Sequence, residues 1–72
     1  MSEAYTVKDV GDRVRKERKA QGMTQSQLAD LCGVGLSFVS NLENGKPTLE
    51  AGKMLRVVNT LGLDLVLCKR GE

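Results

Sequence analysis

The sequence predicts an all-α fold, a compact domain of four to five helices with a short C-terminal strand. Three observations predict it. Apolar residues recur three and four positions apart through most of the chain. Gly22, Gly33, Gly45 and Gly62 interrupt that pattern at helix-length intervals. Only the tail after Gly62 changes to alternation.

The first helix is expected over 7–20. Thr6 is a suitable N-cap with Asp9 three residues on, and Val7, Val10, Gly11 and Val14 share one face. Gly22 stops it in a left-handed cap. Thr24 caps a second helix over 25–32, with Leu28, Ala29, Leu31 and Cys32 as its buried stripe and Gly33 as its stop. A third helix over 36–44 points Val39 and Leu42 inward and ends at Gly45, and Pro47 prevents its continuation. Thr48 then caps a fourth helix over 49–61, with Ala51, Met54, Leu55, Val58 and Leu61 at helical spacing. Gly52 weakens that helix, which suggests that it serves close packing.

In the tail, Leu63, Leu65 and Leu67 alternate with Asp64, Val66 and Cys68. A lone strand leaves its backbone groups unpaired, and four helices offer no partner. Pairing with the same strand of a second copy across a two-fold axis satisfies that demand; the alternatives are a frayed tail or a fifth short helix. The expected division is therefore a helical domain over 7–62, a dimerisation strand over 63–69 carried by Leu63, Leu65, Val66 and Leu67, and flexible ends at 1–5 and 70–72.

With 72 residues the chain holds one domain with a thin core, and one Phe, one Tyr and no Trp make that core aliphatic. No apolar run reaches membrane-spanning length and the N-terminus lacks a signal-peptide pattern, so a cytoplasmic protein is expected. In that compartment Cys32 and Cys68 act as reduced, small apolar residues. Neither has metal-ligand spacing, and no metal or cofactor is expected. With no His, no spaced carboxylate pair, no phosphate loop and no base to activate Cys32, enzymatic activity is not expected. The net charge is only +2, but Arg13, Arg15, Lys16, Arg18 and Lys19 cluster on the first helix. That cluster fits either phosphate contact or a solvated face partly neutralised by Asp9, Asp12 and Glu17.

Function is carried by the second and third helices. Two short helices joined by the turn Gly33-Val34-Gly35 have the lengths of a helix-turn-helix. Such a turn lets the leading end of the second of the pair enter a major groove about 12 Å wide. Leu36, Ser37, Ser40, Asn41 and Asn44 stand opposite Val39 and Leu42, which gives that helix a reading face and a buried face.

The stretch Gln21-Gly22-Met23-Thr24-Gln25-Ser26-Gln27-Leu28-Ala29, then Gly33-Val34 and Val39-Ser40-Asn41-Leu42-Glu43-Asn44-Gly45-Lys46, resembles the Xre family, the Cro and phage-repressor type of helix-turn-helix. Gly45-Lys46-Pro47-Thr48, Gly52-Lys53, Leu61-Gly62-Leu63 and Leu65-Val66-Leu67-Cys68 narrow the likeness to HipB-like antitoxins. The resemblance implies a phage-repressor-like homodimer with a two-stranded lid, bound to an inverted-repeat operator in double-stranded DNA, and a HipA-type kinase toxin as second partner. It implies phosphate contacts at Thr24, Gln25, Ser26, Ser40, Asn44 and Lys46. It implies base contacts at Gly35, Leu36, Ser37, Phe38 and Asn41, with Asn41 able to bond adenine twice. It also implies an ion pair between Arg18 and Glu43, the alternative for Glu43 being a solvated carboxylate.

Some positions depart from the family pattern. Gly35 offers only backbone and Leu36 only apolar contact, so DNA shape would supply part of the specificity. Phe38 either touches a sugar or methyl group or folds back onto the core. Glu17 stands where an apolar residue is usual. Two other readings stay open: a free-standing phage-type or restriction-modification control regulator, and a protein-interaction module that has lost operator binding.

Overall fold

A computed structural model describes residues 6–47, 50–67 and 69. Among them the chain forms four helices, α1 (Val7–Ala20), α2 (Gln25–Cys32), α3 (Leu36–Glu43) and α4 (Ala51–Thr60). The first three match the sequence expectation closely because their ends are written locally. The Thr6 and Thr24 hydroxyls accept the amides of Asp9 and Gln27, whose side chains return to the threonine amides. Each reciprocal pair satisfies two orphan donors of a helix start. Gly33 sits at φ 71°, where a side chain would be strained, and so turns the chain sharply from α2 into α3.

The core is aliphatic: Val14 of α1, Leu28, Ala29 and Cys32 of α2, Val39 and Leu42 of α3, and Val57, Val58 and Leu61 around α4. Partly buried Val7, Val10, Met23, Val34, Phe38, Met54 and Leu63 pack around it. Cys32 is a free thiol inside this core, as expected, whereas Cys68 lies outside the described residues.

Several expectations are corrected. Leu31 is exposed, because the inward stripe of α2 runs through Leu28, Ala29 and Cys32 and Leu31 projects from the far side of Leu28. Helix α4 starts at Ala51 rather than 49, since its first bond runs from the Met54 amide to the Glu50 carbonyl. Its N-cap is Glu50 without a side-chain bond, and the expected cap Thr48 lies outside the described residues together with Leu49. The inward stripe of α4 is Met54, Val57, Val58 and Leu61, while Ala51 and Leu55 face outward. Two apolar series three and four apart overlap on this helix, and packing selects the one containing Val57.

Glycines also divide differently from the expectation. A Cβ on Gly11 would overlap the Leu42 carbonyl, so α1 and α3 touch backbone to backbone there. At Gly52 a Cβ would meet nothing within 4 Å, so close packing within the chain does not explain it. After Gly62, Leu63 bonds back to the Val58 carbonyl, and residues 64–67 belong to no helix or strand of the single chain. Val66 and Leu67 are 70% and 92% exposed. A strand here would need a second copy. The ends 1–5 and 70–72 are outside the described residues.

These contacts predict opposite effects for the same substitution. Gly11→Ala should lower unfolding free energy by about 1–3 kcal/mol through overpacking. Gly52→Ala should raise it by up to about 1 kcal/mol through helix propensity. Urea unfolding of both variants checks the pair, and a stabilised Gly11→Ala would contradict the close helix contact.

Candidate nucleic-acid interface

Helix α3 is held by one carboxylate. Glu43, at the last turn of α3, accepts from Arg18 Nε at 2.7 Å, Arg18 Nη2 at 3.0 Å and Gln25 Nε2 at 3.1 Å. Arg18 Nη1 also donates to the Met23 carbonyl at 2.7 Å. One guanidinium thus ties α1 to the turn before α2 and to the end of α3, in the planar two-pronged geometry that suits arginine. The Arg18 and Glu43 side chains are only 8% and 2% exposed, so the carboxylate is not the solvated one of the alternative. Burial alone would push the Glu43 carboxyl up. The bonds from Arg18 and Gln25, helped by the charges of Arg18 and Arg15, outweigh it and hold the group below its ordinary value.

Around that anchor, α3 presents its other side. Gly35, Leu36 and Ser37 at its leading end are exposed, as are Asn44 and Lys46 beyond its last turn; Ser40 and Asn41 are half-buried. Leu36 is 51% exposed, an apolar contact left bare at the tip. Gly35 is the N-cap and supplies no side-chain bond. Its carbonyl takes the Phe38 and Val39 amides, and among the described residues the Leu36 and Ser37 amides have no acceptor. At α2, Thr24 takes the Gln27 amide and its carbonyl takes that of Leu28, which leaves the Gln25 and Ser26 amides similarly open. Bare amides at a positive helix end suit an anion.

The structure divides the expected site residues as follows. Thr24, Gln25 and Ser26 stand together at the start of α2, and Leu36, Ser37, Ser40 and Asn41 along α3. Gln25 has one amide hydrogen engaged by Glu43, which leaves the other for a further acceptor. Phe38 follows the fold-back alternative: it is half-buried, packs against the core and has Lys53 Nζ 6.0 Å from its ring centroid. Sequence reasoning missed the Gln25 bond to Glu43 and the place of Lys53. No local pattern signals either, because each joins separate helices. Glu17, the polar departure on α1, accepts from Gln21, whose amide also reaches the Leu61 carbonyl at 2.9 Å and ties α1 to the end of α4.

A helix-turn-helix family model matches residues 14–67, three-quarters of the chain. The chain belongs to the helix-turn-helix family. Within this family it is 46% identical over 67 residues to the HTH-type transcriptional regulator y4mF of Sinorhizobium fredii, covering 93% of this chain and 88% of that protein. It is 27% identical over 64 residues to the antitoxin HipB of Escherichia coli K12, covering 89% and 73% of the two. A chain of the HipA-HipB-O2-O3 complex superposes on this helix-turn-helix protein with TM-score 0.86 at 24% identity, over 97% of this chain and 99% of that one. A chain of the HipB-O1-O2 complex gives 0.85 at 25% identity, over 96% and 100%. Among the described residues no helix is long and apolar enough to cross a membrane.

The Glu43 carboxyl gives a pH test. Its folded-state value is depressed, so it contributes stability above its unfolded value and loses it as pH falls through the folded one. The melting temperature should fall as pH drops from about 5 toward about 2. Glu43→Gln should start less stable and fall less over the same range. Parallel pH profiles for the two proteins would contradict the assignment.

Proposed function

We propose that this chain is a sequence-specific, dimeric DNA-binding repressor. The observation that carries the reading is the state of α3. Its inner face is fixed by Glu43, Val39 and Leu42, while its leading end is exposed, uncapped and free of charge. A helix presented this way can enter a major groove with Leu36, Ser37 and Asn41 toward base edges. Phosphates would meet Thr24, Gln25 and Ser26 at the start of α2, and Ser40, Asn44 and Lys46 along and beyond α3. Asn41 is the direct reader, Leu36 suits a thymine methyl, and Gly35 allows the backbone to approach closely. Arg18 stays inside and positions α3 without touching DNA.

The likeness to HipB, whose fold superposes over nearly the whole of both chains and whose sequence matches over 73% of its length, supports a narrower reading: an antitoxin that represses its own operon and binds a HipA-type kinase toxin. The exposed Leu65, Val66 and Leu67 support dimerisation through a paired strand, with residues 63–69 from two copies forming a lid. The relatives' descriptions as regulators and antitoxins support a cytoplasmic binding protein rather than an enzyme.

A binding titration on DNA from upstream of its own gene tests the central reading. Asn41→Ala should relax preference at one base position of each half-site, by about 1–3 kcal/mol. Gln25→Ala and Lys46→Ala should weaken all sequences alike, and Lys46→Ala, which removes a cation, should also flatten the salt dependence. Unchanged base preference in Asn41→Ala would remove the readout assignment. A chain truncated after Gly62 should sediment as a monomer; one that still sediments as a dimer would remove the strand lid.

A further inference from the structure

We propose that Lys53 contacts a DNA phosphate on the groove wall opposite the one met by α2, and that Phe38 positions it there. The proposal rests on the reading of α3 as the helix that enters the groove.

Helix α3 contains no basic side chain, and its one charge, Glu43, is paired inside the protein. Attraction to the polyanionic walls must therefore come from what flanks α3. Helical spacing divides those flanks. Ser40 and Glu43 lie on one side, toward Gln25 and Arg18, and Phe38 and Leu42 on the other, with Ser37 and Asn41 between them. The bare amides of Gln25 and Ser26 serve the first side. On the second, the described cation that meets the helix is Lys53, whose ammonium stands 6.0 Å from the Phe38 ring centroid.

That distance is at the edge of the range in which a ring face attracts a cation. Among the described residues the other partner of Lys53 is Glu50, 3.5 Å away and 72% exposed, an i,i+3 surface pair that holds the side chain weakly. Among the described residues the ammonium thus has one loose acceptor for its three donors, so hydrogen-bonding capacity remains for a phosphate oxygen. A ring beneath the ammonium favours the positions of the flexible side chain that keep it there, which lowers the ordering cost when a phosphate arrives. It also accounts for an aromatic residue in the first turn of α3, where a base-reading role is hard to reconcile with a ring that packs on the core.

The test uses the full-length chain and a labelled duplex selected from random sequence by the unaltered protein, titrated over a range of salt. Lys53→Gln should make the plot of log affinity against log salt shallower by about one, the value for one phosphate contact. Base preference and melting temperature should be retained, and Lys53→Arg should restore the slope. Phe38→Leu, which keeps an apolar side chain but removes the ring, should weaken binding in the unaltered protein and add no loss in the Lys53→Gln background. A Lys53→Gln slope equal to that of the unaltered protein would overturn the phosphate contact. An equal loss from Phe38→Leu in both backgrounds would overturn the positioning role. If the unaltered protein selects no duplex at all, the reading of α3 falls and this proposal with it.

Discussion

The Glu43 carboxylate is the point where three helices meet. Arg18 brings α1 and the Met23 carbonyl to it, Gln25 brings the start of α2, and Glu43 itself ends α3. A domain this small has few apolar contacts with which to fix the angle between helices. A paired charge inside it contributes little net stability over an apolar substitute, because desolvation offsets the attraction. What the geometry does provide is direction. Two prongs of a planar guanidinium on one carboxylate allow one arrangement of α3 against α1, and the Gly11 approach to the Leu42 carbonyl presses the two helices together at the same place. The outer face of α3 inherits that orientation.

The division of labour across the molecule follows from this anchor. Everything on the inner side of α3 is satisfied, and no buried side-chain polar atom among the described residues lacks a partner. The leading ends of α2 and α3, by contrast, keep amides without an acceptor among the described residues, on the side where the proposed duplex lies. Backbone donors that are costly when buried are well placed when a phosphate can complete them. The side chains at the tip of α3 are small or apolar, so on the proposed reading Asn41 is the principal reader and the shape of the DNA gains weight.

Much of this was legible in the sequence where the signal is local. Thr6 with Asp9 and Thr24 with Gln27 mark helix starts, and Gly33 and Gly45 mark stops, because capping and left-handed turns depend on a few adjacent residues. The pairing of Arg18 with Glu43 was accessible only through family resemblance, since 25 residues separate them. Periodicity failed where it was degenerate. Leu31 and Leu55 share helical spacing with core residues and still face outward, because spacing alone does not say which of two overlapping stripes a neighbour covers. The meaning of Gly11 and the seat of Lys53 over Phe38 depend on contacts between helices and leave no local trace.

The most direct test of the anchor is a double-mutant cycle in urea unfolding with Arg18→Met, Glu43→Leu and the two combined. Removing one partner of a buried pair strands the other, so each single substitution should cost about 3–5 kcal/mol. The combined variant should regain most of that loss, because no buried charge is left behind. Losses that simply add would show that Arg18 and Glu43 act independently, and would contradict the account of how α3 is held.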